Sequence, residues 1–349
     1  MKARHIHSMR AWLYYLAGIR LLSLVIAPSR AAIGLCEGRM SPNRPFRFCG
    51  GLFWAESAEE WTDGARRLES AGYDTLVIGD HFSKTLAPIP ALMAAASATT
   101  TLRLACTVFD NDFRHPAALA REVATVDVLS GGRFVCGIGA GWLKTEYDSV
   151  GIPFDSPTVR VSRFEEAVLV MKGLWSDQPL TFAGKHYEVT KLDGQPKPKQ
   201  RPHPPIFIGG GGKRLLSFAA READIVGIGP RANPGGGLNR SEETHACLAE
   251  KVQWVREAAA NRFDQLELAA LIWEVAITDD VRGAAEAIAA RRSRPIEQVL
   301  ESPFFLMGTI DAIVDKLLAL REQHGISHIS VFPSDTERFA PVVERLAGR

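Results

Sequence analysis

The sequence predicts an α/β chain folded as one closed (β/α)8 barrel over residues 46–349, preceded by a dissimilar extension over residues 1–45. Three observations predict this. Strand-like runs alternate with amphipathic helical runs eight times in succession from Phe46 onward. The strand-like runs are short and apolar on both faces (Leu76-Val77-Ile78, Ile225-Val226), as parallel strands covered by helices are. No second composition regime interrupts the alternation, which favours closure into a barrel over an open doubly wound sheet.

The elements follow in order. Phe46–Phe53 reads as the first strand. Ser57 then caps a helix, with Glu60 three residues on completing a capping box, Trp61, Ala65 and Leu68 on one face, and Gly72 ending it. Thr75–Ile78 is the second strand, Ala91–Ala98 a short helix, and Leu102–Val108 the third strand. Pro116 opens a helix as a first-turn proline, with Leu119, Val123 and Val126 inward and Gly131-Gly132 breaking it. Phe134–Ile138 is the fourth strand, and Ser162 with Glu165 starts a helix running to about Leu174. Pro205–Ile208 is the fifth strand with Lys213–Arg221 as its helix, Ile225–Ile228 the sixth, and Glu242–Ala259 is helical. Leu266–Ala276 reads as a seventh strand with a bulge, and helical runs fill Val281–Leu300. Thr309 caps a helix carrying Ile310, Ile313, Val314, Leu317 and Leu318 on one face; His328–Phe332 is the eighth strand and Arg338–Leu346 a closing helix. Insertion segments are expected after strands four, six and seven.

Composition narrows the function. The 349 residues are 46% hydrophobic and 23% charged, enough to bury a full core. A formal net charge of +1 gives no global attraction for nucleic acid or an anionic membrane, so any anion site is local. The cysteines (Cys36, Cys49, Cys106, Cys136, Cys247) are odd in number and form no CxxC pair, which reads as small buried hydrophobes in a reducing, cytoplasmic compartment. The extension has a basic start and an apolar run, Ala11–Ala27, broken by Arg20, which resembles a signal peptide superficially. The favoured reading takes Met40 as the true start, with Met1 and the residues between an over-extended reading frame. An appended helix is the third reading. The proline- and lysine-rich stretch 196–205 reads as an extended linker into the fifth strand.

In such a barrel the chemistry lies in the loops that follow the strands. After strand two comes Gly79-Asp80-His81-Phe82, a carboxylate beside an imidazole, which is either a general base or a surface histidine capped by its own aspartate. After strand three, Val108 or Phe109 offers support for a flat ring, and His115 reads as a helix-entry residue. After strand four, Gly137-Ile138-Gly139-Ala140-Gly141-Trp142 permits backbone to approach a ligand, with a packing role for the glycines equally open. After strand five, Gly209-Gly210-Gly211-Gly212-Lys213-Arg214 opens a helix. Free N–H groups and the helix dipole make a phosphate cradle the better reading there. After strand six, residues 229–240 form a candidate lid whose Arg231 and Arg240 are read first as solvated charges. No HExxH metal motif and no GxSxG nucleophile elbow occurs. The equipment suits a bound organic cofactor that carries the hard chemistry.

These residues resemble the luciferase-like monooxygenase superfamily, in particular its coenzyme F420-dependent oxidoreductases. The carrying segments are Gly79-Asp80-His81, the runs 115–122 and 127–134, the run 137–142, the Glu146-Tyr147 pair, the run 205–212 and Ala223-Asp224. The resemblance implies a bacterial luciferase-like TIM barrel with F420, or alternatively FMN, in its mouth. It implies a non-prolyl cis peptide at Thr107–Val108 behind the ring, the phosphate on Gly211 and Gly212 with Gly209, Gly210, Gly141 and Trp142 nearby, His81 as base or proton relay, and Asp80 orienting ring or imidazole. It also implies a homodimer and a reductase that supplies reduced cofactor. In the sugar-phosphate dehydrogenases of this branch a glutamate follows the GxG run. Trp142 stands there in this chain, which points to a more apolar substrate. The rival readings are a two-component FMN monooxygenase and a non-catalytic flavin-binding barrel.

Overall fold

A computed structural model of the chain describes residues 44–83 and 85–349. The readings of the N-terminal extension otherwise lie outside the described residues. In chain order the elements are β1 (Arg47–Gly51), α1 (Ala58–Ser70), β2 (Thr75–Ile78), α2 (Pro88–Ala98), β3 (Arg103–Asp110), α3 (Pro116–Leu129), β4 (Phe134–Gly139), α4 (Lys144–Val150), α5 (Pro157–Trp175), β5 (Leu180–Ala183), β6 (Glu188–Leu192), β7 (Ile206–Gly210), α6 (Lys213–Glu222), β8 (Ile225–Ile228), α7 (His245–Ala259), β9 (Glu267–Leu271), β10 (Glu274–Ile277), α8 (Val281–Arg292), α9 (Ile296–Leu300), β11 (Phe305–Gly308), α10 (Ile310–His324), β12 (Ile326–Val331) and α11 (Thr336–Leu346). Eight strands close a parallel barrel in the order β1-β12-β9-β8-β7-β4-β3-β2. Closure runs through Arg47↔His328 to Gly50↔Val331 on one side and Cys49↔Thr75 to Gly51↔Val77 on the other.

All eight strands point the same way, so every loop that follows a barrel strand opens on one rim. The barrel interior is filled by Cys49, Val77, Ala105, Val135, Ile225 and Ala269 with Phe207 packed against them. Phe207 explains one glycine: a Cβ on Gly227 would stand 2.5 Å from its ring. A larger apolar layer lies between the strands and the helices, with Trp61, Phe164 and Trp175 among its buried members.

Helix ends follow local chemistry. Ser57 Oγ accepts from the Glu60 N–H at 3.1 Å, and the Glu60 carboxylate reaches back to the Glu56 N–H, one residue before the cap. Thr309 Oγ1 accepts from Ala312 N–H, and α10 ends at Gly325 in the left-handed region (φ 73°). His115 is the entry cap of α3, its ring Nδ1 accepting from the Ala117 N–H.

Two expectations are corrected by the structure, and the expected insertion after β4 has contents the sequence did not show. The helix expected from Ser162 begins a turn earlier, with Pro157 in its first turn, and the Ser162 hydroxyl meets the His186 ring at 3.1 Å instead of capping. The run Leu266–Ala276 is not one bulged strand. Ile272 N–H still donates to Ser330 O of β12, but Trp273 N–H donates to Phe304 O, and the chain leaves the barrel there. β10 then pairs with β11 as a separate parallel ribbon. The insertion after β4 holds α4 and the antiparallel hairpin β5–β6, neither of which the periodicity signalled. Among the described residues no helix is long and apolar enough to cross a membrane.

Candidate active site

The Thr107–Val108 peptide is cis. At this point the β3–β4 register jumps from Cys106↔Cys136 to Phe109↔Ile138, so two residues of β3 face Gly137 alone. Glycine is required opposite: a Cβ on Gly137 would lie 2.0 Å from the Cys106 carbonyl oxygen, and one on Gly139 2.6 Å from a Val108 methyl. Gly141 has φ +73°, and a Cβ there would meet the Tyr147 hydroxyl at 1.9 Å. The glycines of the GxGxG run therefore serve close packing, while Val108 is turned toward the barrel mouth.

Two adjoining cavities open at that mouth. The smaller, about 210 Å³, is walled by Thr107, Val108, Phe207, Ile228, Leu271, Trp273 and Phe304, and is mostly apolar. The larger, about 630 Å³, runs from Val108 past Gly141 and Trp142 to Gly209–Gly212 and the start of α6. Val108, Gly209, Gly210, Pro230 and Leu238 border both. A planar ring in the first with an anionic tail in the second would use the whole cleft.

The quadruple glycine builds the far end. No side chain caps the N-terminus of α6, whose N-cap is Gly212. A Cβ on Gly212 would meet nothing within 4 Å, and the first turn of α6 lines the larger cavity, where an uncapped helix start leaves N–H groups for an anion. Gly211 is different: a Cβ there would stand 2.4 Å from Arg231 N, in the loop after β8. The two cations after the glycines border the same cavity, but each has a partner of its own. Arg214 is bound bidentately by Glu165, and Lys213 lies 5.7 Å from the Trp254 ring centroid. Attraction for a phosphate thus comes first from backbone amides and the helix dipole. This arrangement fits a phosphorylated flavin or deazaflavin.

The loop after β8 is tied to itself. The Arg231 guanidinium and amide both donate to Glu242, Lys251 Nζ donates to Gly229 O and Glu242, and Asn233 and Gly237 close a turn. Arg240 pairs with Glu243. Both loop arginines stay exposed, as expected of solvated charges, while each pairs with a nearby glutamate.

His81 and Asp80 follow β2 and lie on the same rim, but neither lines either cavity. His81 meets Trp142 edge-on, with ring centroids 6.2 Å apart, and Trp142 borders the larger cavity. The two residues do not pair with each other as adjacency suggested. Both Asp80 oxygens go to the Arg114 guanidinium, and one also accepts from Asp110 N–H at 3.0 Å. The carboxylate on His81 is Glu146, whose Oε2 lies 2.9 Å from Nδ1 while its Oε1 accepts from Phe82 N–H at 3.1 Å. Tyr147, the next residue, donates to Asp110 and Asp112. Burial pushes the Asp110 carboxyl up to about 6, with hydrogen bonds from Asp112 N–H and Tyr147 pulling partly against it. Arg163 holds Asp112 through two further bonds. One short helix, α4, thereby ties together the loops after β2, β3 and β4.

The family profile for luciferase-like monooxygenases matches residues 45–329. The chain belongs to that family. Among its luciferase-like relatives are an FMNH(2)-dependent dimethylsulfone monooxygenase of Pseudomonas putida, 34% identical over 131 residues, and an F420-dependent glucose-6-phosphate dehydrogenase of Kineococcus radiotolerans, 30% identical over 206 residues. These matches cover 38% and 55% of the chain, and 36% and 59% of the relatives' own lengths, less than two thirds in each case. In fold the chain is similar to the coenzyme F420-dependent tetrahydromethanopterin reductase of Methanopyrus kandleri (TM-score 0.70, 19% identity, covering 87% of this chain and 98% of that one). It is equally similar to the long-chain alkane monooxygenase LadA (TM-score 0.70, 17% identity, 87% and 91%). Oxidoreductases and monooxygenases using F420 or FMN thus surround this luciferase-like chain.

Proposed function

We propose that the protein is an F420-dependent oxidoreductase that transfers a hydride between the deazaflavin and a small, largely apolar organic substrate. The observation that carries this reading is the single cleft joining the uncapped N-terminus of α6 to Val108, on the rim that also bears His81. When bound, the deazaflavin supplies a ring that accepts or donates hydride but does not activate oxygen. The protein's part is positional. Gly212 and the first turn of α6 hold the phosphate, Val108 backs the ring, and Phe207, Trp273 and Phe304 exclude water from the apolar end. His81, held at Nδ1 by Glu146, keeps Nε2 for the substrate proton. Trp142 at the edge of the larger cavity favours an apolar or aromatic substrate over a sugar phosphate.

The second reading is an FMNH(2)-dependent monooxygenase served by a separate reductase, favoured by the 34% identity to the dimethylsulfone enzyme. The F420-dependent relative aligns over more of the chain, 55% against 38%, and supports the first. Fluorescence titration of the purified protein with F420 and with FMN in both oxidation states separates them. Tighter binding of F420 supports the proposal, and saturation by reduced FMN alone overturns it. His81→Asn then tests for catalysis. We expect kcat to fall by about 10²–10⁴-fold with the cofactor Kd unchanged, whereas a non-catalytic barrel would have no turnover to lose.

A further inference from the structure

Glu146 sits 65 residues from His81 in sequence, on a short helix after a different strand, yet its two oxygens are divided between His81 Nδ1 and the Phe82 amide. A carboxylate only accepts hydrogen bonds. The Phe82 N–H is a fixed donor to Oε1, and Oε2 demands a second donor, which is an Nδ1–H. The neutral imidazole is thereby placed in the tautomer that leaves the Nε2 lone pair free. Asp80 is unable to do this, because Arg114 and the Asp110 amide occupy its oxygens.

We propose that Glu146 is the positioning residue of the site: it sets the His81 tautomer and makes Nε2 the proton-accepting atom. The inference deepens the reading of His81 as the base, on which its catalytic meaning rests. α4 supplies the rigidity this needs. Tyr147 on the same turn is anchored to Asp110 and Asp112, and Gly151 in the left-handed region (φ 72°) closes the helix. The loop bearing His81 is thus docked onto the segment that carries Trp142.

Glu146→Gln is a sharp test because its shape is conserved and its donor pattern is not. Glutamine has one acceptor oxygen and one NH₂ donor. The Phe82 N–H claims the oxygen, so the NH₂ faces Nδ1, which must then become an acceptor. The imidazole proton moves to Nε2 and the base is blocked.

The experiment uses the full chain labelled with 15N-histidine, without cofactor. His81 resonances are identified as those lost in His81→Asn. The expected result is a protonated Nδ1 and unprotonated Nε2 in the wild type, with the two exchanged in Glu146→Gln. Glu146→Ala should give averaged shifts, since neither nitrogen is then held. A wild type with Nε2 protonated, or a Glu146→Gln spectrum that keeps Nδ1 protonated, overturns the proposal. These readouts stand even if F420 fails to bind, so the two readings fail separately. With an active substrate, Glu146→Gln should lower kcat about 10²–10⁴-fold without changing the cofactor Kd.

Discussion

The backbone nitrogen of Arg231 lies 2.4 Å from where a Cβ on Gly211 would stand, so the turn after β7 and the loop after β8 touch backbone to backbone. Gly212, one residue on, has no atom within 4 Å of the same point, and its φ of −88° suits any residue. The two neighbours therefore have opposite jobs: Gly211 closes the wall, and Gly212 leaves the cradle open.

This contrast makes a paired prediction. Gly212→Ala should melt within about 2 °C of wild type, since the change is unstrained and meets nothing. It should weaken phosphate-bearing cofactor about tenfold, because the new methyl projects where the phosphate approaches. Gly211→Ala should destabilise by about 1–3 kcal/mol, the usual cost of forcing extra atoms into a packed site. Thermal melts and cofactor titrations on both variants check this. Equal melting temperatures for the two would contradict the division of roles.

A second prediction concerns Asp80 and Arg114. Asp80 is 8% exposed, and Arg114 supplies two hydrogen bonds to it. Removing one member of a buried pair leaves the other charge uncompensated, at a cost of about 3–5 kcal/mol. Arg114→Met should therefore lower stability in urea by about 3 kcal/mol, toward the low end because the pair lies at the rim. Arg114→Lys should fall in between, keeping the charge but losing the fork. Asp80→Asn should destabilise without altering the His81 tautomer. A tautomer change in that variant would return Asp80 to the role its adjacency suggested.

The barrel was legible because each of its strands is a short apolar run flanked by helices, a pattern that depends on neighbours in sequence. Runs such as Leu76-Val77-Ile78 carry it without help from distant residues. The departure at Ile272–Trp273 was not legible. Leu266–Ala276 is apolar throughout, and only the carbonyls of Ser330 and Phe304 decide where its N–H groups go. The hairpin β5–β6 escaped for the opposite reason: it is largely exposed, so burial imposes little alternation on it. In the site, the glycine turns could be read from their place after strands. The pairings of Glu146 with His81 and Arg114 with Asp80 could not, since spacing carries no trace of contacts made between loops on a common rim. Adjacency suggested Asp80 for His81, and geometry assigned the imidazole to a residue on another loop.

The last prediction lies inside the barrel. His328 Nε2 is 2.9 Å from Cys49 Sγ, its Nδ1 is 3.4 Å from Glu267, and Arg47 is paired with the same glutamate. Burial alone would depress the imidazole, but Cys49 and Glu267 outweigh it and raise His328 from 6.5 to about 10. The folded state then holds a proton that the unfolded chain has lost between those values. The stability this contributes is fully present below about pH 6.5 and disappears as pH rises through 10. Lys316 acts oppositely: burial lowers it from 10.5 to about 8, so it contributes stability that grows as pH rises across that interval. The two partly cancel in the wild type, and a single pH profile does not isolate either. His328→Asn should remove only the first contribution. Its stability should be lower than wild type at pH 6.5, and the gap should narrow steadily toward pH 10. Urea unfolding of both proteins at four or five pH values measures the gap directly. A difference that stays constant across the window would mean that His328 is neutral in the fold and that the Cys49 contact is an ordinary thiol–imidazole hydrogen bond.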